Sequence, residues 1–301
     1  MKSSCLTEVI LPNNYHTSDF LAFHQRDEMG ISEIVQHNQI KKGIIWYENP
    51  ALLTITIEKN RAKIELDIDG DKDCPSQREA LLTLASHMLG LKQPVDVFES
   101  IYHDHPVIGE LVNRQTGLRI YQSATPFEAL SWAIIGQQIS LSAAISIRRR
   151  FIQAVGRQHS SGLLCFPNYK QVMQYSQHDL RQCGFSESKA NALLHVCQLI
   201  DSGLLELNIP EGENGVKRLA DSLLAIKGIG MWTVNYALLR GFSYLDGSLH
   251  GDVAVRRNLQ YLLNQENKVS AEQAEKWLAD FSPWKALVGA HLWQQQSSSG
   301  Y

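Results

Sequence analysis

The chain has 301 residues, enough for two domains of ordinary size. Its 44% apolar and 20% charged residues, with 20 Gly and 9 Pro, exclude a disordered or fibrous protein. Lys plus Arg number 28 and Asp plus Glu 31, a net charge of -3 that weighs mildly against a nucleic-acid partner, since phosphate binders usually carry a basic excess.

Met1 to Asn14 carries one Lys and only the short apolar run Val9-Ile10-Leu11, too little for a secretory signal. No stretch approaches roughly eighteen consecutive apolar residues, so no membrane span is expected. Cysteines stand at positions 5, 74, 165, 183 and 197, with no CxxC pair and no clustering of the zinc or iron–sulfur kind. They read as reduced thiols of a cytoplasmic protein.

In the first part, Gly43-Ile44-Ile45-Trp46-Tyr47 predicts a strand. Leu53-Thr54-Ile55-Thr56-Ile57 and Ala62-Lys63-Ile64-Glu65-Leu66-Asp67-Ile68 alternate apolar and polar residues around Asn60, which predicts a β-hairpin. From Gln77 to Leu89, the residues Ala80, Leu81, Leu84, Ala85 and Met88 recur at helical spacing. After about residue 120 the pattern turns helical. Thr125-Pro126-Phe127-Glu128 is a capping box with Pro at the first helical position, predicting a helix that runs to about Val155. Further helices are punctuated by Gly184, Gly203, the loop from Pro210 to Gly215, and Gly228 with Gly230. Ser282-Pro283 is expected to open the last helix by the same logic, and Gln294 to Tyr301 reads as a frayed polar tail. The expected fold is an α+β leader domain over residues 1–120, an antiparallel sheet with a helix, followed by an all-α domain over residues 121–301.

Two segments invite chemistry. Leu223 to Val234 is an apolar helical turn, then Gly228-Ile229-Gly230, then a second helix. Glycines around one buried aliphatic residue permit a tight helical hairpin, and the amides opening the second helix can hold a phosphate with little formal charge. An ordinary αα-turn would look the same. About twenty residues later, Asp252 stands at the start of a helix, followed by Arg256 and Arg257. As a helix cap it would need no further role, but a cap also fixes the direction of a carboxylate.

The hairpin followed by an Asp that opens a helix resembles the helix–hairpin–helix DNA glycosylase superfamily. Ala133 to Ser140, Gly184 to Ala190, Gly228 to Tyr236 with Arg240-Gly241, and Phe23-His24-Gln25-Arg26-Asp27 in the leader are similar to the 3-methyladenine-DNA glycosylase II family. This resemblance implies a helix–hairpin–helix at about 223–240 inside a glycosylase domain, with damaged double-stranded DNA as partner and base flipping as the route to the lesion. It implies Asp252 as the catalytic carboxylate, Trp232, Tyr236 and Trp293 as base-pocket aromatics, and Gln138 as the side chain inserted where the flipped nucleotide leaves the stack. Gly228, Gly230, Arg256 and Arg257 would hold the phosphate backbone. No cofactor is required, apart from a structural monovalent cation on the carbonyls of Leu224, Ile226 and Ile229.

Bifunctional relatives similar to endonuclease III place a lysine nucleophile where this chain has Trp232. An indole cannot act as an amine nucleophile, so hydrolysis without strand cleavage is expected. The expected protein is a monomer that excises alkylated bases, held near the bacterial nucleoid through DNA. Alternatives are a glycosylase for oxidised or deaminated purines and a non-catalytic helix–hairpin–helix DNA-binding protein. Arg148-Arg149-Arg150 reads as a solvated face or a complement to the helix dipole. His250 reads as a loop residue, His103 and His105 as unconnected with metal, and Trp46, Trp132, Trp277 and Trp284 as packing.

Overall fold

The computed structural model describes residues 2–70, 77–208 and 212–294; Asp71, Cys74, Pro210 and the 295–301 tail lie outside them. The alternating segments form a five-stranded antiparallel sheet: β1 (Lys2–Ile10), β2 (Glu33–Gln36), β3 (Gln39–Trp46), β4 (Asn49–Glu58) and β5 (Arg61–Asp69), in the order β1-β5-β4-β3-β2. The predicted hairpin is present, with Glu58 opposite Arg61 across Lys59-Asn60. Leu53, Ile55, Ile64, Leu66 and Ile68 form the sheet's buried face. That face packs on Phe20 of α1 (Thr17–His24) and on Leu81, Ala85 and Met88 of α2 (Arg78–Met88). Two helices therefore cover the sheet where one was expected. In α1 only Phe20 and His24 are buried, too few for a helical stripe to register in the sequence. Strand β1 also escapes an alternation test, because Leu6 and Ile10 sit on its outer face at 62% and 79% exposure.

Twelve helices follow among the described residues: α3 (Val95–Tyr102), α4 (Gly109–Arg114), α5 (Pro126–Gly136), α6 (Leu141–Val155), α7 (Tyr169–Val172) and α8 (Gln177–Gln182), then α9 (Glu187–Asp201), α10 (Gly212–Leu224), α11 (Met231–Phe242), α12 (Val253–Leu262), α13 (Ala271–Ala279) and α14 (Lys285–Gln294). None of them is long and apolar enough to cross a membrane. Phe98, Ile108 and Leu111 already belong to the helical core, whereas Tyr121 and Ala124 pack into the sheet core. A division at residue 120 thus describes the chain order of the two parts and not the membership of their cores.

The helix expected from Thr125 to Val155 is two helices. α5 stops at Gly136, Gln138 takes φ 54°, and Ser140 caps α6 by accepting from the Ala143 amide at 3.3 Å. Helical periodicity continues across the break, so only the new N-cap residue signals it. The capping box is half formed: Thr125 accepts from the Glu128 amide at 3.1 Å, but the Glu128 carboxylate turns inward. It pairs with Lys42 at 2.7 Å and Arg148 at 3.2 Å, in a buried cluster that also holds Glu33 and His24. Arg148 is accordingly buried in ion pairs across the two parts of the chain, not on a solvated face. Arg150 is tied to the Cys183 carbonyl at 2.8 Å. Ser282 does not cap the last helix, which opens at Lys285; its hydroxyl donates to Asp246 at 3.0 Å.

α14 also carries a buried titratable group. His291 is 1% exposed, stacks on Phe98 at 5.3 Å, and shares a 2.7 Å hydrogen bond with Gln115 through Nδ1. Its Nε2 is buried with no hydrogen-bond partner, and burial pushes its pKa from 6.5 down to about 3. The unfolded chain takes up this proton below about pH 6.5 while the folded chain refuses it, so stability falls as pH drops from 6.5 toward 3. Urea denaturation should register a loss of up to about 1.4 kcal/mol per pH unit from this group, and His291→Phe should flatten that slope. An unchanged slope in the variant would remove His291 from the acid response.

Candidate active site

The hairpin between α10 and α11 is closed by the Ile229 amide on the Ile226 carbonyl at 3.0 Å. Gly228 has φ 93°, which favours glycine, and a Cβ there would press on Ser188 Oγ at 3.1 Å. Gly230 is different. It caps α11 at φ -104°, and a Cβ would meet nothing within 4 Å. The space beside the first amides of α11 is therefore open, a geometry that can admit a phosphate.

Asp252 caps α12, its Oδ1 accepting from the amides of Ala254 at 2.8 Å and Val255 at 3.2 Å. Two indoles complete its surroundings. Trp293 Nε1 donates to Oδ1 at 3.2 Å and Trp232 Nε1 to Oδ2 at 3.1 Å. An acceptor-only carboxylate is therefore met by four N–H groups while being 7% exposed. Oδ1 carries three of those bonds and Oδ2 one, so Oδ2 retains the greater capacity toward a ligand.

Asp252 opens onto a cleft of about 750 Å³ that also touches Gln138, Gly228, Gly230, Trp232 and Arg257. The expected catalytic, hairpin and wedge residues are thus brought together on one surface. Gln138 is exposed there, while Arg256 is half-buried, its Nε enclosed without a hydrogen-bond partner, and does not line the cleft. The two adjacent arginines are separated by the helical turn, and only Arg257 faces the cleft.

The three aromatics also converge, at different depths. Trp232 and Tyr236 stack at 5.3 Å and 30°, and Tyr236 lies 6.5 Å from Trp293. Tyr236 and Trp293 are 1% and 4% exposed, so only Trp232 reaches the cleft. Behind them lie two small cavities of about 60 and 50 Å³, both touched by Phe23 and Arg26 of the leader. Arg26 and Arg240 each place a guanidinium 4.8 Å from the Phe23 ring, and Arg240 lies 5.9 Å from Trp293. Burial pushes Arg240 down to about 10, which keeps it cationic at neutral pH. No role for Phe23, Arg26 or Arg240 follows from the sequence, although all three lie in the segments that carry the resemblance. A cation–π contact between α1 and α11 has no signature in spacing along the chain.

The histidines keep their local roles. His103 pairs with Asp104 at 3.0 Å, His105 accepts from the amides of Val107 and Ile108 at 3.2 Å, and His250 bonds Ser248 at 3.0 Å. Among the described residues no group of three His, Cys, Asp or Glu side chains is placed to hold a metal ion. Cys5 is buried, and Cys165, Cys183 and Cys197 are buried free thiols.

Residues 131–283 match the HhH-GPD superfamily of base excision DNA repair proteins, and the chain belongs to that family. A DNA-3-methyladenine glycosylase of Bacillus subtilis (strain 168) is 22% identical over 296 residues, covering 95% of each chain. The solved structure of a 3-methyladenine DNA-glycosylase from Archaeoglobus fulgidus matches with a TM-score of 0.76 and 20% identity, over 95% of this chain and 96% of that one. An 8-oxoguanine glycosylase/lyase from Clostridium acetobutylicum in complex with DNA matches with a TM-score of 0.71 and 15% identity, over 97% and 96%. Proteins named for different lesions share this fold, so the substrate has to be argued from the site.

Proposed function

We propose that this chain is a monofunctional DNA glycosylase that flips alkylated bases of the 3-methyladenine type out of double-stranded DNA and hydrolyses their N-glycosidic bond. The observation that carries the reading is the Asp252 carboxylate, fixed by two backbone amides and two indoles at the wall of a cleft shared with the hairpin.

An alkylated purine is cationic and leaves with the glycosidic electron pair without needing a strong general acid. The task left to the protein is to stabilise the oxocarbenium ion at C1′ and to direct water to it. Asp252 does the first by charge and the second by orienting the water, which adds its oxygen to C1′ as its proton passes to the carboxylate or solvent. The base has to leave the stack to be reached, and an electron-poor ring is held well by Trp232, Tyr236 and Trp293. Tyr236 and Trp293 line the two small cavities and not the cleft, so base entry along the cleft requires Trp232 or its neighbours to move. Gly228, Gly230 and Arg257 hold the phosphates and Gln138 fills the vacated stack. With so few side-chain cations in the cleft, binding falls only shallowly with salt.

Trp232 at the position of the lyase lysine supports hydrolysis without strand cleavage. No cofactor takes part in the reaction. The carbonyl of Ile226 accepts one amide and keeps a lone pair, and with those of Leu224 and Ile229 it would hold a monovalent cation, whose charge would stand beside a bound phosphate. The protein acts as a monomer in the bacterial cytoplasm.

The test is base release from methylated DNA, with the products resolved by chromatography. Free 3-methyladenine should appear while the strand stays intact, and borohydride added during the reaction should trap no protein–DNA adduct. Failure to release any base overturns the enzymatic reading, and a trapped adduct overturns the monofunctional one.

A further inference from the structure

The break between α5 and α6 does more than expose Gln138. Gln137, the residue just before it, is half-buried, and its amide nitrogen donates twice: to the Gly228 carbonyl at 2.9 Å and to Thr233 Oγ1 at 2.8 Å. The first partner is the left-handed glycine of the hairpin. The second is a buried hydroxyl on α11, in the same turn as Trp232. One side chain therefore ties the loop of Gln138 both to the phosphate-holding turn and to the helix that carries the base-pocket aromatics.

The loop needs such a tie. Gln138 has φ 54°, a conformation that a residue with a Cβ keeps only when its surroundings hold it. A second anchor comes from α9, where Lys189 Nζ donates to the Ile135 carbonyl at 2.9 Å, at the end of α5. The half-buried Lys189 ammonium leaves most of its charge near the C-terminal end of α5, as the dipole favours. Lys189 fixes the helix that leads into the loop, and Gln137 connects the loop to the hairpin across the cleft.

We propose that Gln137 is a positioning residue that sets the insertion of Gln138 into the duplex in step with the phosphate grip and the base pocket. This rests on the reading of Gln138 as the inserted side chain. Without the two bonds, the hairpin and the pocket would still form, but the hole left by a flipped nucleotide would be filled late or poorly. The defect is then one of opening a paired duplex and not of the bond-breaking step.

Gln137→Met keeps length and loses both donors; Thr233→Val removes one acceptor and leaves the Gly228 bond. The substrates are duplexes carrying one 7-methylguanine, paired with cytosine or mispaired with thymine, in single-turnover release. A third duplex carries a tetrahydrofuran abasic analogue with 2-aminopurine beside it, whose fluorescence reports unstacking on binding without any catalysis. With melting temperatures like wild type, Gln137→Met should lose about tenfold on the matched duplex, as expected for two neutral hydrogen bonds. It should lose about threefold or less on the mismatch, where part of the opening cost is already met. The 2-aminopurine rise should be at least halved, with Thr233→Val intermediate. Equal losses on both substrates, or an unchanged 2-aminopurine signal, overturn the proposal. If the wild-type protein releases no 7-methylguanine, the proposed function still stands or falls on 3-methyladenine release from methylated DNA, and the fluorescence comparison by itself decides the role of Gln137.

Discussion

Asp252→Asn should lower single-turnover base release by about 10²- to 10⁴-fold, the range that a positioned charged group contributes to such a step. The fold and abasic-DNA binding should persist, with a stability loss of about 1–3 kcal/mol from the lost Trp232 bond. The reason is the double duty of the side chain. As the cap of α12 it accepts from the amides of Ala254 and Val255, and asparagine caps as well as aspartate does. What the variant cannot keep is the negative charge, nor the Trp232 bond, because an amide NH₂ in place of Oδ2 would face the indole N–H donor-to-donor. Asp252→Ala would add a stability loss of about 1 kcal/mol from the missing cap, which is why asparagine is the informative change. Urea denaturation, binding to an abasic duplex and release from methylated DNA form the set of measurements. Release at the wild-type rate would return Asp252 to the status of a cap alone.

Much of this site can be read along the chain because its parts are local. Gly228 and Gly230 flank one aliphatic residue between two helical patterns, and Asp252 precedes an apolar run. Each is a signal contained within a few residues, and each lies where that signal puts it. Trp232 and Tyr236 share a face because they are one turn apart, which makes their stacking a consequence of helix geometry. The two hydrogen bonds from the indoles to Asp252 are another matter. They join residues 20 and 41 positions apart, and no spacing rule couples an indole to a carboxylate at that range. The break at Gln137-Gln138 was hidden for a related reason, since it is held by partners on α9, α10–α11 and α11 and not by a proline or glycine. In the sheet, β5 alternates throughout and β4 alternates apolar and polar residues from Leu53 to Ile57, which makes both legible, whereas β1 carries apolar residues on both faces and is not. The net charge of -3, which weighed against DNA, averages the cleft with the rest of the surface and says little about a site built from backbone amides.

Lys42→Met should destabilise the fold by about 3–5 kcal/mol, the cost of leaving buried charge without its partner. Lys42 has a side chain 2% exposed and is shared by Glu33 on β2 and Glu128 on α5. Arg148 reaches the same two carboxylates from α6. Burial alone would lower the Lys42 pKa, but Glu128 and Glu33 outweigh it and hold the ammonium above its ordinary range. For Glu33, burial would raise the carboxyl, and Lys42 and Arg148 overcome this to hold it well below. Its folded pKa being depressed, the stability Glu33 contributes is present above the ordinary carboxylate range and is lost as pH falls through the folded value. The methionine fills the space of the lysine stem while two carboxylates then share Arg148 alone. A loss under about 1 kcal/mol by urea denaturation would place these charges in solvent, since exposed pairs are worth no more than that. Replacing Lys42, Arg148, Glu33 and Glu128 together by apolar residues of similar volume should recover much of the stability, because a buried ion pair gains little over good packing. What such a quadruple variant would lose is direction. The cluster fixes α5 and α6, and with them the loop of Gln138, against the sheet that carries α1 and Phe23. Recovered stability with impaired base release would assign the cluster to the alignment of the two parts of the molecule, and recovery of both would assign it to stability alone.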